Sequence, residues 1–236
     1  MLLEICANSY QSAKNAEAAG AHRIELCQEL SIGGITPSYG LVKQVIHNLD
    51  IPVFVLIRPR GGNFVYSDAE FQTMKHNIQS CKDLGCHVPI AIGIVSGALN
   101  TNKTIDIKRT RELVELSKPL PFTFHRAFDE LINPKEALEQ LIDLGVERVL
   151  TSGQETSAEK GISLLKELHE ISNGRIVILS GGGINSENAK QFKDAGLEEI
   201  HASASKVITT NTLDYFDTIA QTVSDLETIK KILNVI

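Results

Sequence analysis

Thr123-Phe124-His125-Arg126-Ala127-Phe128-Asp129 alternates like a half-buried strand, then breaks into an imidazole, a guanidinium and a carboxylate ahead of a helix start at Asn133-Pro134. His125 is a candidate acid or base and Arg126 a candidate anion clamp. Glu25, in Arg23-Ile24-Glu25-Leu26-Cys27, is a second candidate acid or base, and Arg58, after Val53-Phe54-Val55-Leu56-Ile57, a second clamp. Cys6 and Cys27 close adjacent strands, which in a sheet lie about 4.8 Å apart, so their sulfurs can approach one soft ion such as Cu(I). Two inert thiols are the alternative. Cys81 on a helix and Cys86 after its terminal Gly85 read as ordinary half-buried residues.

Strand and helix signals alternate throughout. Leu2 to Cys6, Arg23 to Cys27, Pro52 to Arg58, a run within Ile90 to Gly97, the segment around Thr123, Glu147 to Thr151, Arg175 to Ser180 and Glu199 to Ser203 read as strands. Helices are expected from Ser9 to Ala19, Tyr39 to Asn48, after Ser67 with its capping-box spacing to Glu70, from Asp106 to Ser117, after Asn133, and from Ser157 to Ile171. Two more are expected behind the caps Asn185 and Ser224. Glu17-Ala18-Ala19-Gly20, Lys82-Asp83-Leu84-Gly85, Ile142-Asp143-Leu144-Gly145 and Lys193-Asp194-Ala195-Gly196 each end a helix before an even-numbered strand. This pattern is an α/β chain forming a (β/α)8 TIM barrel, one domain over residues 1–236, in which 207–236 is an irregular segment plus a C-terminal helix. Thr209 to Gln221 is the least readable stretch.

The formal net charge is −6 and no long basic run occurs, which disfavours nucleic acid and anionic membranes as partners. No apolar run reaches the roughly 18 residues of a membrane span. The four cysteines lack CxxC spacing and the N-terminus lacks a secretory pattern, so reduced thiols in a cytoplasmic protein are expected.

Strand parity decides what enters the barrel. Leu3 and Ile5, and Ile24 and Leu26, suit the helix layer, which turns Glu4, Cys6, Arg23, Glu25 and Cys27 inward. The same reading sends Arg58, Thr123, His125, Ser152, His201 and Ser203 inward. A barrel interior is ordinarily filled by Val, Ile and Leu, so this density of polar groups points to a site at the C-terminal face. A lone inward Glu or His is more often structural; the argument is carried by polar groups contributed from six strands. The loops after the seventh and eighth strands, with Gly182 and Gly183 and with Ser203 and Ala204, occupy the positions where barrels commonly hold phosphate on backbone N–H groups.

Glu4-Ile5-Cys6, Arg23 to Cys27, Gly33-Gly34 with Thr36-Pro37-Ser38, Ile57-Arg58-Pro59-Arg60-Gly61-Gly62, Thr123 to Asp129, Arg148 to Gly153 and Gly181-Gly182-Gly183 together resemble the CutC family, called copper homeostasis proteins. The likeness runs from Met1 to about Lys206. It implies a cytoplasmic, homo-oligomeric barrel (dimer or tetramer) linked to copper, with Cys6 and Cys27 matching the cysteines proposed as copper ligands. Cys86 to Ile90 departs from it as a short insertion, and Asn102-Lys103 replaces the family's Asp-Gly. Two functions compete: Cu(I) binding at Cys6 and Cys27, with His125 or His201 as the nearby further donors, or a barrel enzyme acting on a small anionic or phosphorylated molecule through Glu25, Arg58, His125 and Arg126. A scaffold barrel that binds partners through its outer helices is a third.

Overall fold

The computed structural model describes residues 1–86, 88–208 and 220–236. Short runs rich in β-branched and aromatic residues form the strands, and each is followed by an amphipathic helix that covers it. The elements alternate as β1 (Leu2–Ala7), α1 (Tyr10–Ala19), β2 (Arg23–Leu26), α2 (Tyr39–Ile46), β3 (Val53–Leu56), α3 (Asp68–Gly85), β4 (Ile92–Ser96) and α4 (Ile107–Ser117). The second half continues with β5 (Phe122–Phe124), α5 (Pro134–Asp143), β6 (Arg148–Thr151), α6 (Ile162–Ser172), β7 (Val177–Gly181), α7 (Ala189–Asp194) and β8 (Glu199–Ala202). Neighbouring strands pair in parallel, and β8 returns to β1 with Glu4 opposite His201, so the sheet closes into an eight-stranded barrel. The helix starts obey their caps: the Ser9 side chain accepts from Ser12 N–H, and Ser67 and Glu70 form a reciprocal capping box.

Two apolar layers result from strand alternation. Leu3, Ile5, Ile24 and Leu26 join the large core between sheet and helices. Cys6, Cys27, Phe54, Leu56 and Val95 form a smaller cluster inside the barrel.

Several expectations require correction. α6 starts at Ile162, not Ser157, because the preceding turn lies backbone to backbone against the end of β6: a Cβ on Gly161 would stand 2.0 Å from the Ser152 carbonyl oxygen. Asp225, not Ser224, caps the last helix, α8 (Leu226–Leu233), accepting from Thr228 N–H, because Ser224 belongs to a strand. That strand, β10 (Thr222–Ser224), pairs antiparallel with β9 (Ser205–Val207), so the segment read as irregular contributes a small sheet. Asn8 and Asn15 donate to the Thr222 and Ser224 carbonyls and hold it against the first β/α unit. The reading of Thr209 to Gln221 falls largely outside the described residues. Cys81, on the inner face of α3, is buried and Cys86 is exposed, so neither is half-buried.

Candidate functional site

Six of the inward residues line one cavity of about 240 Å³ at the C-terminal mouth of the barrel: Cys6, Glu25, Arg58, His125, His201 and, at its rim, Ser203. Arg126, Gly182 and Gly183 complete that rim, with Leu30, Phe64 and Ile184 supplying apolar surface. Cys27 and Ala204 do not line it. Cys27 is fully buried behind Cys6, beneath the loop at Gly34, while the Ala204 carbonyl accepts from Asp225 N–H.

On the β1, β2 and β8 side, the sulfurs of Cys6 and Cys27 lie 3.6 Å apart. One ligand atom each from Cys6, Glu25 and His201 lies within 4.8 Å of the others, and Cys27 joins this group through Cys6. The hydrogen bond with Cys27 and burial push the Cys6 thiol well above the usual range, against the pull of His201. Burial pushes Glu25 up to about 7; the His201 charge opposes this more strongly than the Glu4 charge assists it. His201 rises well above an ordinary histidine although burial disfavours its charge, because Cys6, Glu4 and Glu25 all stabilise the imidazolium. Its Nδ1 is 2.8 Å from Glu4 Oε1.

Below the cavity is an ion-pair ladder that sequence parity only partly foresaw. Arg23 donates to Glu4 and, at 2.6 Å, to Glu199, which also accepts from Arg148 at 2.7 Å. Arg23 and Arg148 lie over the Phe54 ring, 4.7 and 5.3 Å from its centre. That ring occupies space left by Gly93, where a Cβ would stand 2.0 Å from it. Burial raises the Glu4 carboxyl, yet Arg23 and His201 outweigh burial and hold it at about 2.

The β5, β6 and β7 side is built around Asp129, which sequence reasoning noted only as an acidic neighbour. Its carboxylate accepts from Thr151 Oγ1 at 2.5 Å, from Ser152 N at 3.0 Å and from Gln154 N at 3.2 Å. It also accepts from Arg126 Nε at 2.8 Å, and Arg126 Nη2 donates to Ser152 Oγ at 2.9 Å, which fixes the guanidinium at the rim. His125 caps the 3-10 helix Arg126–Glu130, its Nδ1 accepting from Ala127 N–H at 3.3 Å. Burial and the Arg58 charge lower its pKa to about 3, so the ring is neutral. Arg58 itself donates to the carbonyls of Ile32, Gly34 and Gly62 at 2.7–3.0 Å, bracing two loops. Three buried polar atoms of the cavity wall have no partner among the described residues: Glu25 Oε2, Arg58 Nε and His125 Nε2. Such atoms are rarely left without a protein group, an ordered water or a ligand in folded proteins.

The helix after β7 differs from expectation. α7 begins only at Ala189, with Asn185 accepting from Glu187 N–H and Asn188 N–H in the turn before it, so Gly182 and Gly183 are remote from its dipole. The donors near this loop are therefore its own N–H groups and Arg126, whose Cζ would stand 3.7 Å from a Cβ on Gly182.

The model of the CutC family matches residues 1–206. A CutC family protein of Photorhabdus laumondii is 48% identical over 206 residues, covering 87% of this chain and 81% of its own. The human copper homeostasis protein cutC homolog is 49% identical over 204 residues, 86% of this chain and 73% of its own. The crystal structure of a CutC protein from Streptococcus agalactiae superposes with a TM-score of 0.78 at 36% identity, over 86% of this chain and 98% of that one. An aldolase at 15% identity and a thiamine phosphate pyrophosphorylase of Pyrococcus furiosus at 13%, each with a TM-score of 0.60, share the barrel fold alone. No helix among the described residues is long and apolar enough to cross a membrane.

Proposed function

Because this chain belongs to the CutC family, with a relative named for copper homeostasis, we propose that its barrel mouth holds one Cu(I) ion through Cys6, Cys27 and His201. The supporting observation is the convergence of the Cys6, Glu25 and His201 donor atoms within 4.8 Å, with the Cys27 sulfur 3.6 Å from that of Cys6. Two thiolates about 2.3 Å from a tetrahedral centre stand roughly 3.8 Å apart, so the pair needs little movement. Thiolates suit a soft ion. His201 Nδ1 is committed to Glu4, which leaves Nε2 as the ligand atom and supplies the carboxylate that orients a ligating imidazole. Binding displaces protons from Cys6 and His201, so affinity rises with pH. The test is Cu(I) titration against a competing chelator. Cys6→Ser and Cys27→Ser should each abolish tight binding and His201→Ala should weaken it, whereas unchanged binding in the double serine variant overturns this reading.

A second reading, a barrel enzyme acting on a small anionic molecule, is favoured by a separate observation. A Cu(I) ion at the thiols makes no use of the unpartnered His125 Nε2 or of Arg126 at the rim. Phosphate should raise Tm progressively, beyond an equal ionic strength of chloride, and Arg126→Met should remove that rise. Arg126 is the cleaner substitution, because Gly182 has φ 118°, where any side chain is strained. Phosphate without effect on Tm sinks it.

A further inference from the structure

Around the barrel from the thiols, the wall formed by His125, Arg126 and Gly182 offers two kinds of donor. Ala127 N–H occupies His125 Nδ1, which places the ring proton on Nε2. That N–H is buried, lacks a partner and belongs to a residue that lines the cavity. The packing holds it there: the ring lies 4.7 Å from the Phe64 ring, and a Cβ on Gly97 would stand 3.1 Å from its Cε1. The charged donor is Arg126, fixed by Asp129 and Ser152. Gly182 is adjacent, a Cβ there standing 3.7 Å from Arg126 Cζ, and the N–H groups of Gly182 and Gly183 have no partner among the described residues. A cation with backbone N–H groups is a seat for an anion. A neutral imidazole N–H beside it is a seat for an uncharged acceptor.

We propose that this wall binds a small carbonyl compound carrying an anionic group, with the anion on Arg126 and the Gly182 and Gly183 N–H groups and the carbonyl oxygen on His125 Nε2–H. The inference rests on the second reading above and specifies its ligand. A carbonyl fits better than a hydroxyl, because His125 can only donate here and a hydroxyl would need a second, accepting partner for its own proton. The cavity of about 240 Å³ is smaller than the roughly 300–1,000 Å³ typical for drug-sized ligands, so the ligand is a small metabolite.

Three probes on chelator-treated protein test this by calorimetric titration: inorganic phosphate, glycerol 3-phosphate and dihydroxyacetone phosphate. The last two differ only in a hydroxyl against a carbonyl. Dihydroxyacetone phosphate should bind about tenfold tighter than glycerol 3-phosphate, the scale of one buried hydrogen bond with its desolvation. His125→Phe should erase that preference while leaving phosphate affinity unchanged, and His125→Gln, which keeps a side-chain N–H donor, should restore part of it. Arg126→Met should weaken all three. If the two phosphate esters bind equally to the unaltered protein, the inference is overturned and the anion reading stands. If none of the three binds, both fall.

Discussion

The lower and upper halves of the barrel interior are both polar, and they differ in whether their polar groups are satisfied. In the lower half Glu4, Arg23, Glu199 and Arg148 are mutually paired, with Thr123 Oγ1 3.5 Å from Arg148 Nη1 at its edge. In the upper half Glu25, Arg58 and His125 are as deeply buried, at 4–5% exposure, yet each carries an unpartnered atom. Burial alone therefore does not distinguish scaffold from site. A closed network fixes a fold, whereas donors and acceptors left open inside a cavity are oriented for a molecule that is not part of the chain.

The largest effect is expected where the closed network is cut. Arg23→Met leaves Glu4 and Glu199 short of their shared cation, and loss of one partner of a buried pair costs about 3–5 kcal/mol, readable as a lower urea midpoint at unchanged slope. Gly93→Ala follows, because its methyl would collide with the Phe54 ring between the two arginines. Overpacking of this kind costs about 1–3 kcal/mol, and the Gly93→Ala, Phe54→Leu pair should recover most of it. Failure of that recovery would mean that Phe54 is not what Gly93 accommodates.

The upper half should respond to pH before it responds to truncation. His125 titrates at about 3 when folded and near its ordinary 6.5 when unfolded, so between those values the unfolded chain binds more protons and stability falls as pH falls. Glu25, at about 7 when folded against an ordinary 4.5, pulls the other way between those values, so the histidine's share is read as the difference between the unaltered protein and His125→Phe, whose acid limb should be flatter below pH 6.5. An unchanged limb would mean the histidine is already charged in the fold. The smallest effect is expected for Glu25→Gln at pH 6: removing a carboxyl with an unpartnered oxygen should change the urea midpoint by less than about 1 kcal/mol equivalent, in contrast to Arg23→Met. A loss as large as that of Arg23→Met would erase the distinction between the two halves.

Much of this was legible in the chain itself. Helix-ending glycines and short apolar runs marked eight strands, and alternation turned Glu4, Cys6, Glu25 and Cys27 away from Leu3, Ile5, Ile24 and Leu26, as the two apolar layers show. What stayed hidden depends on distances between remote segments. Arg58 is held by carbonyls as far away as Ile32 and Gly34, Asp129 collects donors from the strand after its own, and Glu199 meets Arg23 across the barrel from the far end of the chain. Cys27 looks equivalent to Cys6 by position, but the Gly34 loop covers it. Asp225 displaced Ser224 as cap because a strand pairing, invisible to local propensity, claimed the serine.

Phe54, clasped between Arg23 and Arg148 and seated in the gap at Gly93, turns the barrel into a vessel with a stopper. Whatever enters through the mouth must leave by the same door. If the ion and the anion proposed above share this cavity, both pass through that one opening.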